Sequence, residues 1–432
     1  MSQLAEGAAP GATPIPRRHV AAAVIGNWLE FYDFTVYAYF AVQIGQTFFP
    51  NQSPFASLML SLVTFGAGFI CRPLGAIVIG RYADRVGRRP AMMLSFFMMG
   101  VALLGMVLIP PYRQIGIAAP ILAVICRVVQ GFALGGEVGP TTAYLIEAAP
   151  PGKRGIYGAW QSASQSLSSL SGGIVGVVLA SFLSSAGLAD WGWRIAFLIG
   201  ALVLPFGLII RRSLPETRHL EEEVLDAHPE GADILSHWRI IVLGLGLIMS
   251  ATISTYISIY STTYAQVTLH MGTGISFWVT VCNGAAGFVA GLAGGALSDR
   301  FGRRALMIWP RIVHILVIIP IFLIITQHRE PAILLSLLAV LNALANLSSV
   351  PALVAITESL RKEIRGVATA VVYATAVAVF GGTTQPIVAW LGEVTHSPMA
   401  IAWYLMAANA VGIVAALLMV ETVGRPRTVK AT

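Results

Sequence analysis

Seven ionisable side chains stand inside long apolar runs of this sequence: Glu30, Asp33, Arg72, Arg127, Glu137, Arg311 and His314. A charge at mid-helix in a bilayer costs about 2.5–3.5 kcal/mol on insertion scales, so each is by default a functional hypothesis. Asp33 sits about 13 residues from either end of its run, roughly 20 Å deep at the helical rise. Arg127 lies about nine residues from one end of another run, which brings both into the central membrane zone. A carboxylate in apolar surroundings holds its proton, whereas an adjacent guanidinium favours the ionised form. A pair that makes and breaks therefore takes up and releases a proton. Glu30 and Glu137 are the second choices for that proton. The competing reading of Asp33 and Arg127 is a permanent structural ion pair.

The same residues suit an organic anion. Arg127, Gln130, Leu134 and Glu137 follow i, i+3, i+7, i+10 spacing, which is one face of a helix. Gln161, Gln165, Ser168 and Gly172 follow i, i+4, i+7, i+11, a narrow polar stripe that belongs at an interior or a cavity rather than against lipid. Arginine binds a carboxylate through two parallel hydrogen bonds, and glutamines add donors. Hydrogen bonding between helices explains the stripe equally well. In the second half, Thr252, Tyr256, Tyr260 and Tyr264 recur every four residues, and Asn283, Asn342, Asn346 and Tyr373 add polar groups. Arg311 and His314 form an i, i+3 cationic pair that suits either a second patch or packing. Arg72, directly before Pro73, reads as structural.

These residues must be positioned by membrane helices. Hydrophobic residues are 56% of the 432 and charged ones only 11%, where a soluble chain carries about 25% charged. Mean hydropathy is +0.77. Runs long enough to cross a hydrocarbon core, about 20 helical residues, recur near 20–46, 55–81, 90–110, 118–147, 155–183, 193–212, 239–267, 274–298, 304–326, 331–358, 365–392 and 397–421. They lack the alternation of a barrel strand. The expected fold is an all-α membrane protein of twelve spans in two pseudo-symmetric six-helix lobes. It divides into a tail (1–19), an amino-terminal lobe (20–212), a charged linker (213–238), a carboxyl-terminal lobe (239–421) and a second tail (422–432). Of 27 Lys and Arg, 21 fall on one side of these spans. The positive-inside rule therefore predicts that both termini are cytoplasmic. The net charge of +7 is then topology rather than a nucleic-acid surface. Cys71, Cys126 and Cys282 lie in apolar runs with no metal or disulfide spacing.

One string occurs twice. Gly80-x-x-x-Asp84-Arg85-x-Gly87-Arg88-Arg89 recurs as Gly295-x-x-x-Asp299-Arg300-x-Gly302-Arg303-Arg304, and Glu147 with Arg154-Gly155 recurs as Glu358 with Arg365-Gly366. Asp84 is placed to meet the positive end of a facing helix. Arg85, Arg88 and Arg89 can reach carboxylates at neighbouring span ends, Glu147 first. Positive-inside anchoring alone explains the arginines, but it does not require Gly80, Asp84 or Gly87 at fixed places.

The repeated string resembles the loop 2–3 signature of the major facilitator superfamily. More narrowly, Gly26-Asn27-Trp28-Leu29-Glu30-Phe31-Tyr32-Asp33-Phe34, Arg72-Pro73-Leu74-Gly75, Arg127-Val128-Val129-Gln130-Gly131 and Trp191-Gly192-Trp193-Arg194 resemble its metabolite:proton symporter branch. Trp160-Gln161-Ser162-Ala163-Ser164-Gln165 and Phe380-Gly381-Gly382 resemble proton-coupled citrate and tricarballylate carriers. The resemblance implies that Asp33 titrates with Arg127 as partner. Asn27 and Tyr32, beside Asp33, join the substrate-contact candidates. It further implies that Asp84, Arg85 and Glu147, with Arg154 and the pseudo-symmetric Asp299, Arg303 and Glu358, lock the cytoplasmic side. The expected activity is proton-coupled import of a small organic acid, a tri- or dicarboxylate such as citrate, across a bacterial inner membrane by alternating access. The chain is expected to work as a monomer in the bilayer, without a cofactor and without nucleic acid. A symporter of zwitterions such as betaine or proline, and a proton-driven exporter, are the rivals within the class. A passive channel and a polytopic sensor are the rivals outside it. No phosphate loop, nucleophile motif or ligand-spaced histidine cluster suggests an enzyme.

Overall fold

The computed structural model describes residues 17–86, 88–135, 145, 149–150, 152–212, 237–360 and 365–422. A described helix lies in every predicted span, in span 4 over the first part alone, since most of 136–147 falls outside the described residues. In the amino-terminal lobe these are Arg17–Tyr39 (span 1, continued by Ala41–Phe48), Pro54–Ile70 with Arg72–Val86 (span 2), Arg88–Leu108 (span 3), Ala118–Leu134 (span 4), Arg154–Phe182 (span 5) and Trp193–Arg212 (span 6). In the carboxyl-terminal lobe they are Trp238–Val267 (span 7), Thr273–Phe301 (span 8), Arg303–Gln327 (span 9), Pro331–Ser359 (span 10), Arg365–Ala376 with Gly382–Thr395 (span 11) and Ala400–Leu418 (span 12). No strand occurs among the described residues. Most of the predicted linker falls outside them.

Two spans are broken for local reasons. Span 2 turns at Cys71 because the Pro73 ring cannot sit under the Phe69 carbonyl, which accepts from the Cys71 N–H instead. Span 11 widens into a π turn over Val377–Gly381, and Pro386 four residues on offers no N–H to the Gly382 carbonyl. That carbonyl lies against Gly66 of span 2, in the other lobe.

Within each lobe, packing joins spans 1 and 5, 3 and 6, 8 and 10, and 7 and 12. Between lobes, spans 5 and 8 run together over most of their length, while spans 2 and 11 and spans 1 and 7 close the end away from the repeated charged loops. Small residues permit the first of these contacts: a Cβ on Gly176 would strike the Phe277 ring, and one on Gly284 would strike the Leu170 backbone. Phe97, Leu108, Phe182, Trp309 and Leu316 are exposed on the outside of the bundle, where lipid tails would cover them.

Candidate functional site

A cavity lies between the lobes, with about 1040 Å³ of non-atom space including its margins. Span 5 contributes Gln161, Ser162, Gln165, Ser166 and Ser169, span 7 Thr252, Thr255, Tyr256 and Ser258, span 8 Thr280 and Asn283, span 10 Asn342 and Asn346, and span 11 Tyr373. Phe31, Phe34 and Tyr39 of span 1 complete the aromatic part. No described lining residue carries a formal charge. The predicted residues Gln161, Gln165, Tyr256, Asn283, Asn342 and Tyr373 thus share one cavity, contributed by both lobes.

Its amides are partly committed. Asn342 donates to the Asn283 carbonyl at 2.6 Å and Asn346 to the Asn342 carbonyl at 2.9 Å, a ladder that ties span 10 to span 8. Asn283 donates to the Ser258 carbonyl of span 7 at 3.3 Å. The Gln161 and Gln165 Nε2 donors and the Asn283 Oδ1 acceptor have no partner. Buried amides left unsatisfied are costly, and a ligand carboxylate is an acceptor that satisfies two donors at once.

Charge stands one layer behind this wall. Phe34 packs against Phe65 at 4.6 Å and Phe69 at 4.8 Å, and Phe69 packs against Tyr256 at 5.3 Å across the lobe boundary. The Arg72 guanidinium stacks at 4.3 Å over Phe69 and 4.5 Å over Phe34, and it reaches the Tyr256 hydroxyl. Arg127 stacks at 4.0 Å over Tyr37 and 5.0 Å over Phe34 and donates to Gln130 Oε1 within span 4. Arg127 is 1% exposed and Asp33 2%. Arg127, then Arg72, are the cations whose field acts on Asp33. Both Asp33 oxygens and the Arg127 Nε and Nη2 nevertheless lack a hydrogen-bond partner. Neither residue lines the cavity.

Other candidates are held elsewhere. Asn27 donates to Ser164 Oγ at 2.6 Å and to the Gln161 carbonyl, fastening span 1 to span 5. Tyr32 donates to the Ala196 carbonyl of span 6 at 3.3 Å. Gln130 and Glu30 are buried, and Tyr260 sits in an apolar cluster of the second lobe. The predicted stripe on span 5 is rotated from the one observed: Ser168 turns back to the Gln165 carbonyl and Gly172 meets Tyr39. Ser162, Ser166 and Ser169 take their places at the cavity; their i, i+4, i+7 spacing was the available signal.

In the second copy of the repeated string the contacts of Gly295, Asp299, Gly302 and Arg303 are described. Asp299 accepts from the backbone N–H of Gly155 at 2.8 Å and of Ile156 at 3.0 Å, capping span 5 across the lobe boundary. Arg303 pairs with Asp299 at 2.7 Å and with Glu358 at 3.3 Å. Gly295 meets the Gly155 carbonyl and Ala159, so a side chain there would push spans 5 and 8 apart. Gly302 turns the chain at φ +96°, which disfavours any side chain. Glu421 accepts from the N–H groups of Arg303 and Arg304, and Thr422 donates to Glu358 at 2.6 Å. Sequence spacing carried no hint of Glu421. In the first copy, Arg85 is exposed and Gly80 has open space around it. The side chains of Asp84, Arg88 and Arg89, and Glu137 and Glu147 entirely, lie outside the described residues, while Arg154 opens span 5.

Comparison with known proteins agrees with this architecture. The chain is 36% identical over 403 residues to a citrate-proton symporter of Salmonella typhi, covering 93% of each. It is 31% identical over 431 residues to a proline/betaine transporter of Escherichia coli strain K12, covering 95% of this chain and 84% of that one. A partially occluded inward-open structure of the xylose transporter from E. coli superposes with a TM-score of 0.73 at 19% identity, over 95% of this chain and 99% of that one. Residues 23–386 match the model of the Major Facilitator Superfamily, and the chain belongs to that family.

Proposed function

We propose that this protein is a proton-coupled symporter that brings a small organic anion, a di- or tricarboxylate such as citrate, into the cell across the inner membrane, with both termini cytoplasmic. The observation that carries the proposal is the pairing of a neutral, amide-lined cavity with a carboxylate and two guanidinium groups directly behind its Phe34 wall. Gln161, Gln165, Asn283, Asn342, Tyr256 and Tyr373 would hold the carboxylates. Arg72 and Arg127 would supply positive potential through the aromatic layer. Asp33 would bind the coupled proton, which leaves their charge uncompensated and available to the substrate. The lobes then rock around the fixed site. Asp299, Arg303 and Glu358 would hold the charged-loop end closed, with Asp84, Arg85, Arg88, Arg89, Glu147 and Arg154 as their counterparts. The citrate-proton symporter relative supports this reading.

A second reading has an observation of its own. Phe31, Phe34, Tyr39, Tyr256 and Tyr373 give the cavity aromatic faces and the described lining has no charge, a setting that suits a quaternary ammonium zwitterion. The proline/betaine transporter relative points the same way. Uptake of labelled citrate and of labelled betaine into proteoliposomes, with and without an inward proton gradient, separates the two. Gradient-driven citrate accumulation that Asp33→Asn loses, while still exchanging citrate, supports the first reading. Accumulation of betaine alone replaces the cargo, and silence with both substrates removes the symport proposal.

A further inference from the structure

We infer that the carboxyl-terminal lobe contains a second anion site, built on Arg311 and His314 of span 9 and sized for one carboxylate or halide. Arg311 is 0% exposed and His314 1%. Their i, i+3 spacing puts both on one helix face, on a span that packs chiefly against spans 10 and 12. Arg311 donates one bond, Nη1 to the Met307 carbonyl at 3.2 Å, within its own helix. Its Nε and Nη2 have no partner, and the His314 ring has only the Asn409 side chain of span 12 beside it. Among the described residues no carboxylate acts on either group; the charge felt by His314 is that of Arg311. A guanidinium removed from water without an opposite charge is strongly unfavourable, and an anion beside it relieves that cost.

There is room for that anion. A cavity of about 20 Å³, enough for one small ion, is lined by His314 with Ser254, Ser258, Ser261, Asn283 and Asn342 on its polar side and by Phe322, Leu338 and Leu341 on its apolar side. Arg311 stands one helical turn along from His314, about 5 Å at the helical rise. The donors of Ser254, Ser261, Asn283 and Asn342 are spent on backbone carbonyls, so the imidazole and the unpaired guanidinium behind it are the groups that would meet an anion. On the far side, Gly412 of span 12 leaves the guanidinium its space: a Cβ there would lie 3.0 Å from Arg311 Nε and press on Ser250 Oγ, another unpartnered group. The small cavity shares Asn283, Asn342 and Ser258 with the central one. The anion therefore comes from one of two sources, a carboxylate arm of the cargo or a free inorganic anion. Only the first rests on the organic-anion reading of the central cavity.

The test is thermal unfolding of the purified full-length protein in a halide- and carboxylate-free N-methylglucamine buffer, titrated with N-methylglucamine bromide, with acetate and with citrate. The expected result is saturable stabilisation by bromide or acetate, weakened at least about tenfold in midpoint by Arg311→Met and by His314→Asn. In the anion-free buffer, Arg311→Met should melt at or above the wild type, because it removes an unpaired buried charge. If a cargo arm uses the site, bromide raises the citrate midpoint in the wild type but not in Arg311→Met. If a free inorganic anion uses it, bromide saturates and leaves the citrate midpoint unchanged. No saturable response in the wild type to bromide, acetate or citrate overturns the inference, as does an unaltered response in both variants. Should Arg311→Met fail to fold, the wild type against His314→Asn decides. Because bromide and acetate report on the site by themselves, a protein that ignores citrate can still display it.

Discussion

At the scale of single residues, this cavity separates contact from charge. Gln161, Gln165 and Asn283 present unpartnered amide groups, whereas Arg72 and Arg127 act through Phe34. A direct buried ion pair would hold an anionic cargo tightly and release it slowly; a field from behind an aromatic layer attracts it while leaving the contacts breakable. A hydrogen bond to a charged group is worth about 1.5–3 kcal/mol. Gln165→Leu should therefore raise the half-saturation concentration for uptake about tenfold or more with little change in expressed protein, measured as initial rates in proteoliposomes. Phe34→Ala should instead destabilise the fold by about 3–5 kcal/mol, as large-to-small core changes do, since Phe34 packs on Phe65, Phe69 and both guanidinium groups. Thermal unfolding of the two variants distinguishes a contact residue from a wall residue. The identity of Gln161 and Gln165 as cavity residues was legible in their spacing, because four-residue intervals keep side chains on one helix face. The position of Arg127 was not, because spacing along span 4 says nothing about the aromatic layer that span 1 places in front of it.

At the scale of elements, the contact between spans 5 and 8 carries the mechanical argument. Asp299 holds two backbone N–H groups at the start of span 5, where the helix dipole adds to the attraction. Asp299→Asn keeps one acceptor oxygen but loses the charge, so it should loosen this end without unfolding the lobe. The expected outcome is a longer and broader spin-label distance distribution between the charged-loop ends of spans 5 and 8, together with slower uptake. Gly295→Val should do the same by sterics, since a side chain there meets the Gly155 carbonyl and Ala159. An unchanged distance in both variants would remove Asp299 from the gate. Spacing alone marked Gly295, Asp299, Gly302 and Arg303 as a unit. The facing partner on span 5 and the brace from Glu421 come from chain segments more than a hundred residues away, and no local pattern records them.

At the scale of the whole molecule, the proposed symport requires that closure of one end alternate with opening of the other. The end away from the charged loops is shut where the Gly382 carbonyl meets Gly66. Gly382→Trp should wedge spans 2 and 11 apart, abolishing net uptake while substrate binding persists. Isothermal titration beside a transport assay checks this, and normal uptake would show that the contact need not close. The helical membrane-spanning class of the described elements was readable from the chain, because hydrophobic length and composition respond to the bilayer rather than to neighbouring residues.

What the sequence determined by itself is therefore the class of molecule, its element order and the residue types available for proton and anion chemistry. Each depends on local composition and on the period of a helix. Tertiary structure alone decided which face of each helix meets the cavity. It placed Arg72 and Arg127 behind Phe34 rather than in the lining, and it brought Asp299 to span 5. It also left Arg311 without a carboxylate among the described residues. The physical reason is that a helix can rotate about its axis and tilt without changing its own hydrogen bonds, so its orientation is set by packing against helices distant in sequence.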